Sequence, residues 1–338
     1  MRPHVQVAAL AAAALLTALL TVPAPATAAE CGTDRTIDIA EMGWPSAAAL
    51  ARVHAVILEK GYGCSVALVP GDTVPTLAAM VARGQPALAP ELWPNASKEA
   101  WEQGLAAGKL VDLGPAIAEG LVQGWYIPSY VAEANPGLRT VEDLPEYWEL
   151  FKDPDDPGKG RFVSCPPGWA CEIMDANFFK AYGLEDTFNL FSPGSAGALD
   201  ATIAQAFLRR EPIVFYYWGP TAMMGRFAMT RLEMAPFDES KFACIGDAAC
   251  ANPEKTDFVV PDAVKAAASW LPQEAPAVAG YLRKASLTNA EIGRMLVWGE
   301  ENKADAEAVA DNFLRTEEAI WTAWVPAAIA EAVKASLD

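Results

Sequence analysis

Short apolar strands and alanine-rich helices alternate along the N-terminal part of the chain. Residues 36–42 alternate between apolar and polar positions, and two further short apolar runs follow, so the pattern predicts strands over 36–42, 64–69 and 86–92. Helical spacing predicts helices over 46–60 and 76–83 and a third that ends near residue 105. A chain that alternates in this way favours a parallel sheet with helices on its faces, whose ligands bind at the strand ends.

The second half of the chain repeats this alternation. Apolar runs predict strands over 124–131, 161–163 and 213–217, and helices are predicted over 172–182 and 195–209. Alanine- and glutamate-rich helices are predicted from residue 264 to the C-terminus. We interpret this order as an α/β fold of two lobes, each a mostly parallel sheet flanked by helices, with two crossovers. The expected domains are lobe 1 over 30–123 plus 231–338 and lobe 2 over 124–230.

The first 29 residues have the pattern of a secretory signal peptide. Arg2 precedes an apolar run over 5–22, and Ala26-Thr27-Ala28 is a small-residue cleavage site. No later run reaches the roughly 18 apolar residues of a membrane span. Cys31 follows Glu30, where a lipid-attachment site requires a small residue. We therefore expect an exported, periplasmic protein without a lipid anchor, and the remaining chain is long enough for two lobes.

Charge and cysteine content narrow the possible partners. The formal net charge is −18, with the acidic residues dispersed, which argues against nucleic acid and mildly favours a cationic ligand. All six cysteines lie in the exported part, where disulfides form. Six cysteines allow 15 pairings; the short spacings favour Cys165–Cys171 and Cys244–Cys250, which leaves Cys31 with Cys64. A zinc site is not expected, because no pair has the usual spacing and His54 is remote.

Four tryptophans stand beside proline or glycine in loops that follow predicted strands: Trp44, Trp93, Trp169 and Trp218. In a fold of two lobes with two crossovers, such loops face one cleft. Several ring faces turned into one pocket form a cage for a cation that has no hydrogen to donate, such as a trimethylammonium group. Trp169 is held between Cys165 and Cys171 on a loop stiffened by proline and glycine, a placement that favours contact with a ligand over core filling.

The tryptophan motifs resemble those of a known family, the glycine betaine- and choline-type (OpuAC/ProX-like) substrate-binding proteins of ABC importers. The resemblance rests on Met42-Gly43-Trp44-Pro45-Ser46, Glu91-Leu92-Trp93-Pro94, Cys165-Pro166-Pro167-Gly168-Trp169-Ala170-Cys171-Glu172 and Tyr216-Tyr217-Trp218-Gly219-Pro220. It implies a type II periplasmic binding protein fold that closes over its ligand and delivers it to a membrane permease with its ATPase. It also implies cage walls at Trp44, Trp93, Trp169 and Trp218, with the backbone N–H groups of Ala170 and Cys171 holding a ligand carboxylate.

Two further residues are candidates with two interpretations each. Glu91 precedes Trp93 by two positions and so points to the same side of the strand, where it complements a cation; the alternative is an exposed carboxylate. Tyr126 either lines the cleft or packs the strand between the lobes. At Ser46 and Ser97 the chain departs from the acidic residue of choline binders and the histidine of some betaine binders. The first departure counts against choline and the second against a strict glycine betaine site. On the whole resemblance we rank glycine betaine first, then trimethylamine N-oxide or choline.

An enzyme is the competing class. The run Pro193-Gly194-Ser195-Ala196-Gly197 lacks the spacing of a nucleophile elbow, and His54 lies in an apolar helical run typical of a packed histidine. A secreted carbohydrate-active enzyme or a sugar-binding protein that uses tryptophans for stacking remains the alternative. We expect a monomeric binding protein without catalytic activity, cofactor or metal.

Overall fold

The structure is a computed structural model that describes residue 1 and residues 31–118, 121–260 and 262–337. Apart from Met1, the expected signal peptide lies outside these residues. The strands are β1 (Ile37–Met42), β2 (Val66–Gly71), β3 (Leu88–Leu92), β4 (Leu110–Pro115), β5 (Val122–Pro128), β6 (Gly160–Val163), β7 (Phe188–Phe191), β8 (Val214–Gly219), β9 (Met229–Arg231) and β10 (Val264–Ala268).

The helices cover the faces and ends of the two sheets that these strands form. They are α1 (Pro45–Val56), α2 (Thr73–Arg83), α3 (Lys98–Ala106), α4 (Ser129–Ala134), α5 (Leu144–Tyr147), α6 (Ala170–Tyr182), α7 (Ala196–Arg209), α8 (Ala222–Arg226), α9 (Glu239–Ile245), α10 (Trp270–Glu274), α11 (Pro276–Lys284), α12 (Asn289–Asn302), α13 (Ala306–Thr316), α14 (Glu318–Trp321) and α15 (Ala327–Leu337). In the described part of the chain, no helix combines the length and the apolar character needed to cross a membrane.

Each lobe is built on a five-stranded sheet in which one strand is reversed. The first sheet has the order β2-β1-β3-β10-β4, and β10 is antiparallel to both of its neighbours. The second has the order β7-β6-β8-β5-β9, and here β5 is antiparallel to both neighbours. The reversed strand is in each case the first one after a crossing from the other lobe. The predicted two-lobe α/β fold is confirmed, with four strands of each sheet running in one direction.

Strand direction brings the predicted loops to the inner edges of the two sheets. Trp44 follows β1 and Trp93 follows β3 in lobe 1, while Ser164 follows β6 and opens the Cys165–Cys171 loop in lobe 2. Carboxyl ends of strands that run the same way meet at one edge of a sheet, so loops distant in sequence become neighbours there. Gly84 ends α2 with a φ of 66°, a conformation that favours glycine, as its position in the sequence predicts.

Four strands differ from the sequence prediction. The sequence predicts a helix over residues 264–268, but these residues form β10 between β3 and β4. Alanine favours helix intrinsically, and here the burial of a strand paired on both sides outweighs that preference. Strands β4, β7 and β9 have no counterpart in the prediction. Gly114 and Pro115 at the end of β4, the four-residue length of β7 and the three-residue length of β9 leave each strand only a weak periodic signal.

The segment after β9 packs against lobe 2. The Asn177 side chain on α6 donates hydrogen bonds to the carbonyl oxygens of Cys244, Ile245 and Asp247. Phe258 packs against Phe178 with ring centroids 4.6 Å apart. We therefore propose that the second crossing lies between residue 258 and the start of β10, later than the boundary at residue 231 expected from the sequence.

Disulfides join the three cysteine pairs expected from spacing. The pairs are Cys31–Cys64, Cys165–Cys171 and Cys244–Cys250. The first attaches the segment before β1 to the segment before β2, and the other two close short loops in and beside lobe 2. Cross-links of this kind restrict the unfolded chain and so stabilise the folded one.

A buried carboxyl lies beneath the Cys165–Cys171 loop. Asp175 on α6 is fully buried and accepts hydrogen bonds from the Trp125 indole N–H at 2.7 Å and from the Ser164 hydroxyl at 2.6 Å. Burial raises the pKa of Asp175 to about 7, because these two hydrogen bonds offset the loss of water only in part.

We expect Asp175 to make the stability of the protein fall as the pH rises towards neutrality. The unfolded chain ionises this carboxyl near 3.8, whereas the folded protein ionises it at about 7. The contribution of Asp175 to the free energy of unfolding is therefore complete below its pKa in the unfolded chain. It is lost as the pH rises through the pKa in the folded protein. Urea unfolding across this range should show a steeper decline of the free energy of unfolding for the wild type than for Asp175→Asn, in which the raised pKa values of Glu91 and Asp72 still contribute.

The matched control for this experiment is Asp186→Asn, at an exposed position of the same lobe. It should keep the pH dependence of the wild type. Parallel stability curves for the wild type and Asp175→Asn would contradict the assignment of the effect to Asp175.

Gly168 gives a second prediction. Its φ of +86° is one that a residue with a Cβ adopts only with strain. We expect Gly168→Ala to lower the free energy of unfolding by about 1 kcal/mol and the melting temperature by about 2 °C. Gly194→Ala is the control, because Gly194 lies in a loop of the same lobe with open space at its Cα. Equal melting temperatures for the two variants, measured by calorimetry, would refute the argument.

Candidate functional site

The four loop tryptophans converge on one small cavity between the lobes. Trp44 and Trp93 come from lobe 1, and Trp169 and Trp218 come from lobe 2. The Trp44 and Trp169 rings meet edge to face with centroids 5.3 Å apart, and the Trp169 and Trp218 rings do so at 5.0 Å. Three of the rings are nearly buried, with exposures of 5–6%. The walls are therefore ring faces and edges supplied by both lobes.

The remaining lining residues include five that the sequence analysis did not single out. They are Thr73, Asn95, Gln123, Met174 and Tyr216. Some signal was present for three of them. Tyr216 precedes Trp218 by two positions on β8, Gln123 pairs with Trp218 across the sheet, and Met174 lies one helical turn after Ala170. No sequence pattern predicts Asn95 and Thr73 as lining residues, because only the geometry of their loops brings them to the cavity.

Glu91 lies behind the cage and holds two of its rings. Its side chain is completely buried, and one oxygen, Oε1, accepts hydrogen bonds from the indole N–H of Trp44 at 2.6 Å and of Trp93 at 2.9 Å. The Ser46 hydroxyl donates to the same oxygen at 3.0 Å. Oε2 is buried and has no hydrogen-bond partner among the described residues. Of the two interpretations left open by the sequence, the structure contradicts the exposed carboxylate.

Two opposing effects act on the pKa of Glu91. Burial raises its pKa, and the hydrogen bonds from Trp44, Trp93 and Ser46 lower it by a smaller amount. A positive charge brought into the cage favours the ionised carboxylate, whereas an empty cage leaves the buried charge uncompensated. The charge of Glu91 therefore depends on what the cage contains.

A second carboxylate holds the indole of Trp169. Asp72, at the end of β2 in lobe 1, accepts a hydrogen bond from Trp169 Nε1 at 2.9 Å. Burial raises the pKa of Asp72, while the hydrogen bonds from Trp169 and from the Gly43 backbone lower it in part. Three of the four cage indoles thus donate to carboxylate oxygens. This contact crosses between the lobes, and Asp72 was not among the residues proposed from the sequence.

The backbone beside Trp169 offers donors to a ligand. Helix α6 begins at Ala170, so the N–H groups of Ala170 and Cys171 have no acceptor within the helix, and both residues line the cavity. The N-terminus of a helix attracts negative charge. The disulfide between Cys165 and Cys171 fixes this turn, and Glu172 accepts a hydrogen bond from the Gly168 N–H at 2.8 Å.

Tyr126 lies apart from this cavity. It is buried on β5, stacks against Phe215 with ring centroids 6.3 Å apart, and is not among the lining residues. Side chains alternate along a strand, so Gln123, three positions earlier, faces the cavity and Tyr126 faces the opposite side. This placement agrees with the packing interpretation. Among the described residues, no group of three or more His, Cys, Asp or Glu side chains is arranged to hold a metal ion.

Comparison with known proteins identifies the family. A family model described as the substrate-binding domain of an ABC-type glycine betaine transport system matches residues 35–316. The chain is 28% identical over 293 residues to the trimethylamine N-oxide-binding protein of Pelagibacter ubique. The aligned region covers 85% of this chain and 90% of that protein. It is 29% identical over 106 residues, 31% of each chain, to the glycine betaine/proline betaine-binding periplasmic protein of Salmonella typhimurium.

Solved structures share the fold at low sequence identity. The glycine betaine/L-proline-binding protein ProX from Borrelia burgdorferi superposes with a TM-score of 0.70 at 19% identity, covering 88% of this chain and 100% of that one. An ABC-transporter choline-binding protein in complex with choline gives 0.71 at 16% identity, covering 91% and 99%. Their fold agrees with that of a type II periplasmic binding protein. The chain described here therefore belongs to the OpuAC family of substrate-binding proteins of ABC transporters.

Proposed function

We propose that this protein captures a methylated ammonium compound in the cage formed by Trp44, Trp93, Trp169 and Trp218, and delivers it as a periplasmic monomer to its permease. Its family membership makes it the substrate-binding component of an ABC transporter for betaine-, choline- or trimethylamine N-oxide-like ligands. Proteins of this family are periplasmic or extracellular. The observation that carries the finer proposal is the convergence of four indoles on one cavity.

The energetics of such a cage are sufficient for useful affinity. A cation over an aromatic face gains roughly 0.5–2 kcal/mol per ring, with the larger values in sites removed from water. Three or four rings therefore account for much of the roughly 8 kcal/mol that micromolar binding requires. Methyl groups add apolar burial, and the carboxyl group of Glu91 behind two of the indoles attracts a cation when it is ionised.

The amides at the start of α6 bear on the choice of ligand. The N–H groups of Ala170 and Cys171 suit a small anionic oxygen, which trimethylamine N-oxide and glycine betaine carry and choline does not. A trimethylamine N-oxide-binding protein is similar to this chain over 85% of its length. We therefore rank trimethylamine N-oxide first, glycine betaine second and choline third, a change from the order expected on sequence alone.

The lining argues against the sugar-binding and hydrolase alternatives. Gln123 already donates to the Val259 carbonyl and accepts from the Tyr216 hydroxyl, and the Asn95 side-chain oxygen accepts from the Asp262 N–H. Few polar side chains are left for several sugar hydroxyls. A glycosidase needs two carboxyl groups facing its substrate, whereas Glu91 and Asp72 are engaged by indole N–H groups.

Calorimetric titration of the mature protein tests the proposal. The panel is trimethylamine N-oxide, glycine betaine, choline, carnitine, several sugars and the neutral isostere of choline in which tert-butyl replaces trimethylammonium. We expect binding of methylated amines, and weaker binding of the isostere than of choline because its uncharged head lacks the cation–π attraction. Sugar binding without a response to any methylated amine would reject the proposal.

Removal of one cage wall gives a quantitative expectation. Trp169→Ala should weaken binding of the preferred amine at least tenfold, because it removes both a ring contact and apolar burial. Trp298→Ala is the control, since Trp298 lies on α12 and does not line the cavity. Unchanged affinity in Trp169→Ala, measured by the same titration, would remove this residue from the site.

The charge of Glu91 predicts a dependence on pH that differs between ligands. A net cation such as choline favours the ionised carboxylate, so its affinity should rise with pH through the raised pKa of Glu91. Glu91→Gln should weaken choline binding about tenfold and remove this dependence. Uncharged overall, trimethylamine N-oxide and glycine betaine should be affected less.

The control for this variant is Glu301→Gln, an exposed position of the same lobe. It should bind every ligand as the wild type does. An equal loss for choline and trimethylamine N-oxide in Glu91→Gln would show that Glu91 only supports the rings and does not act through its charge.

A further inference from the structure

Asp72 occupies the N-cap position of α2 but does not cap it. Its backbone is extended, with φ −145° and ψ 160°, yet its side chain makes no hydrogen bond to the first turn of the helix. Aspartate is among the most favoured N-cap residues because its carboxylate accepts the free N–H groups there. In this structure the carboxylate accepts the indole N–H of Trp169 from the other lobe and the backbone N–H of Gly43 from its own lobe.

Two other aspartates in the chain show the usual arrangement. Asp238 caps α9 by accepting the N–H groups of Ser240 and Lys241, and Asp305 caps α13 by accepting the N–H of Ala308 at 2.9 Å. Asp72 has the same residue type and a similar extended backbone. Two features distinguish it. Position N3 of α2 is Pro75, which has no N–H to donate, whereas Asp238 and Asp305 both accept an N3 N–H. A competing donor, the indole of Trp169, also lies across the cleft.

The neighbouring contacts also link the two lobes. The Val74 N–H, in the first turn of α2, donates to the Gly168 carbonyl at 3.3 Å. Gly168 belongs to the disulfide-closed loop that carries Trp169. The first turn of α2 therefore contacts this loop. The Val74–Gly168 and Trp169–Asp72 hydrogen bonds both form only when the two lobes are in contact.

We infer that Asp72 is a positioning residue with two alternative partners. With the lobes apart, its carboxylate caps α2 by accepting the Val74 N–H, since Pro75 at the next position has no N–H. With the lobes together, it leaves the helix and holds the indole of Trp169 against the cavity, while the Gly168 carbonyl takes over part of the capping by accepting the Val74 N–H. The exchange makes the position of one cage wall depend on lobe closure. This inference rests on the proposed function to the extent that Trp169 is a wall of the ligand cage.

Three substitutions separate the two roles. Asparagine keeps a side-chain oxygen at the same reach, so Asp72→Asn is able both to cap α2 and to accept from Trp169. Serine is a good N-cap but is too short to reach the indole, so Asp72→Ser keeps only the cap. Asp72→Ala removes both interactions.

The readouts are ligand affinity by calorimetry, lobe separation from the radius of gyration in X-ray scattering with and without ligand, and the melting temperature of the ligand-free protein. We expect Asp72→Asn to stay close to the wild type. Asp72→Ser should keep the ligand-free melting temperature but bind the preferred amine about fivefold more weakly. Asp72→Ala should show the same weakening and a melting temperature about 2 °C lower.

Asp305→Ala is the matched control, because it removes a cap that contacts no cage residue. It should lower the melting temperature without changing affinity or closure. Wild-type affinity and closure in Asp72→Ser, or an undiminished melting temperature in Asp72→Ala, would overturn the inference.

The outcomes also separate this inference from the proposed function. Failure of the wild type to bind any methylated amine would reject the proposed function alone. The radius of gyration of the ligand-free proteins would then test the role of Asp72 in lobe closure. We expect a larger radius for Asp72→Ser and Asp72→Ala than for the wild type and Asp72→Asn. Equal radii in all four would reject the role of Asp72 in closure.

Discussion

The hydrogen bonds from buried indoles to carboxylates are the constraint on which the cage depends. A tryptophan that turns its ring face towards a ligand still has one N–H group, which loses water when the lobes close and needs an acceptor. Glu91 supplies it for Trp44 and Trp93, and Asp72 supplies it for Trp169. The acceptors fix the ring orientations, and because they carry or share negative charge they also make the surroundings of the cage favourable to a cation.

The same requirement explains why the acidic residues are placed behind the rings and not among them. A carboxylate inside the cavity would present hydrogen-bond acceptors to a ligand head that has no hydrogen to donate. Behind the indoles, an ionised carboxylate would act through charge on the methylated ammonium head of the proposed ligand, while that head would touch only ring surfaces. Oε2 of Glu91, which has no hydrogen-bond partner among the residues that the structure describes, shows the cost of this arrangement, since buried polar atoms are otherwise hydrogen-bonded.

Much of this architecture could be predicted from the sequence, and the misses have identifiable physical causes. The tryptophan loops were found because proline and glycine next to a large aromatic are a local signal. The strand over 264–268 was missed because its alanines favour helix locally and only pairing with β3 and β4 decides otherwise. Asp72 was missed for a similar reason: an aspartate before a helix is an ordinary cap in sequence, and its partner Trp169 is 97 positions away.

The division of the cage between the lobes connects its geometry to transport. Lobe 1 contributes Trp44 and Trp93 with their acceptor Glu91, while lobe 2 contributes Trp169 and Trp218. Neither lobe alone surrounds a trimethylammonium head, so half of the ring contacts form only on closure. A ligand can shift an equilibrium only by its difference in affinity for the two states. If the proposed function holds, that difference is large for a small methylated cation, because reopening of the lobes would remove half of the walls at once.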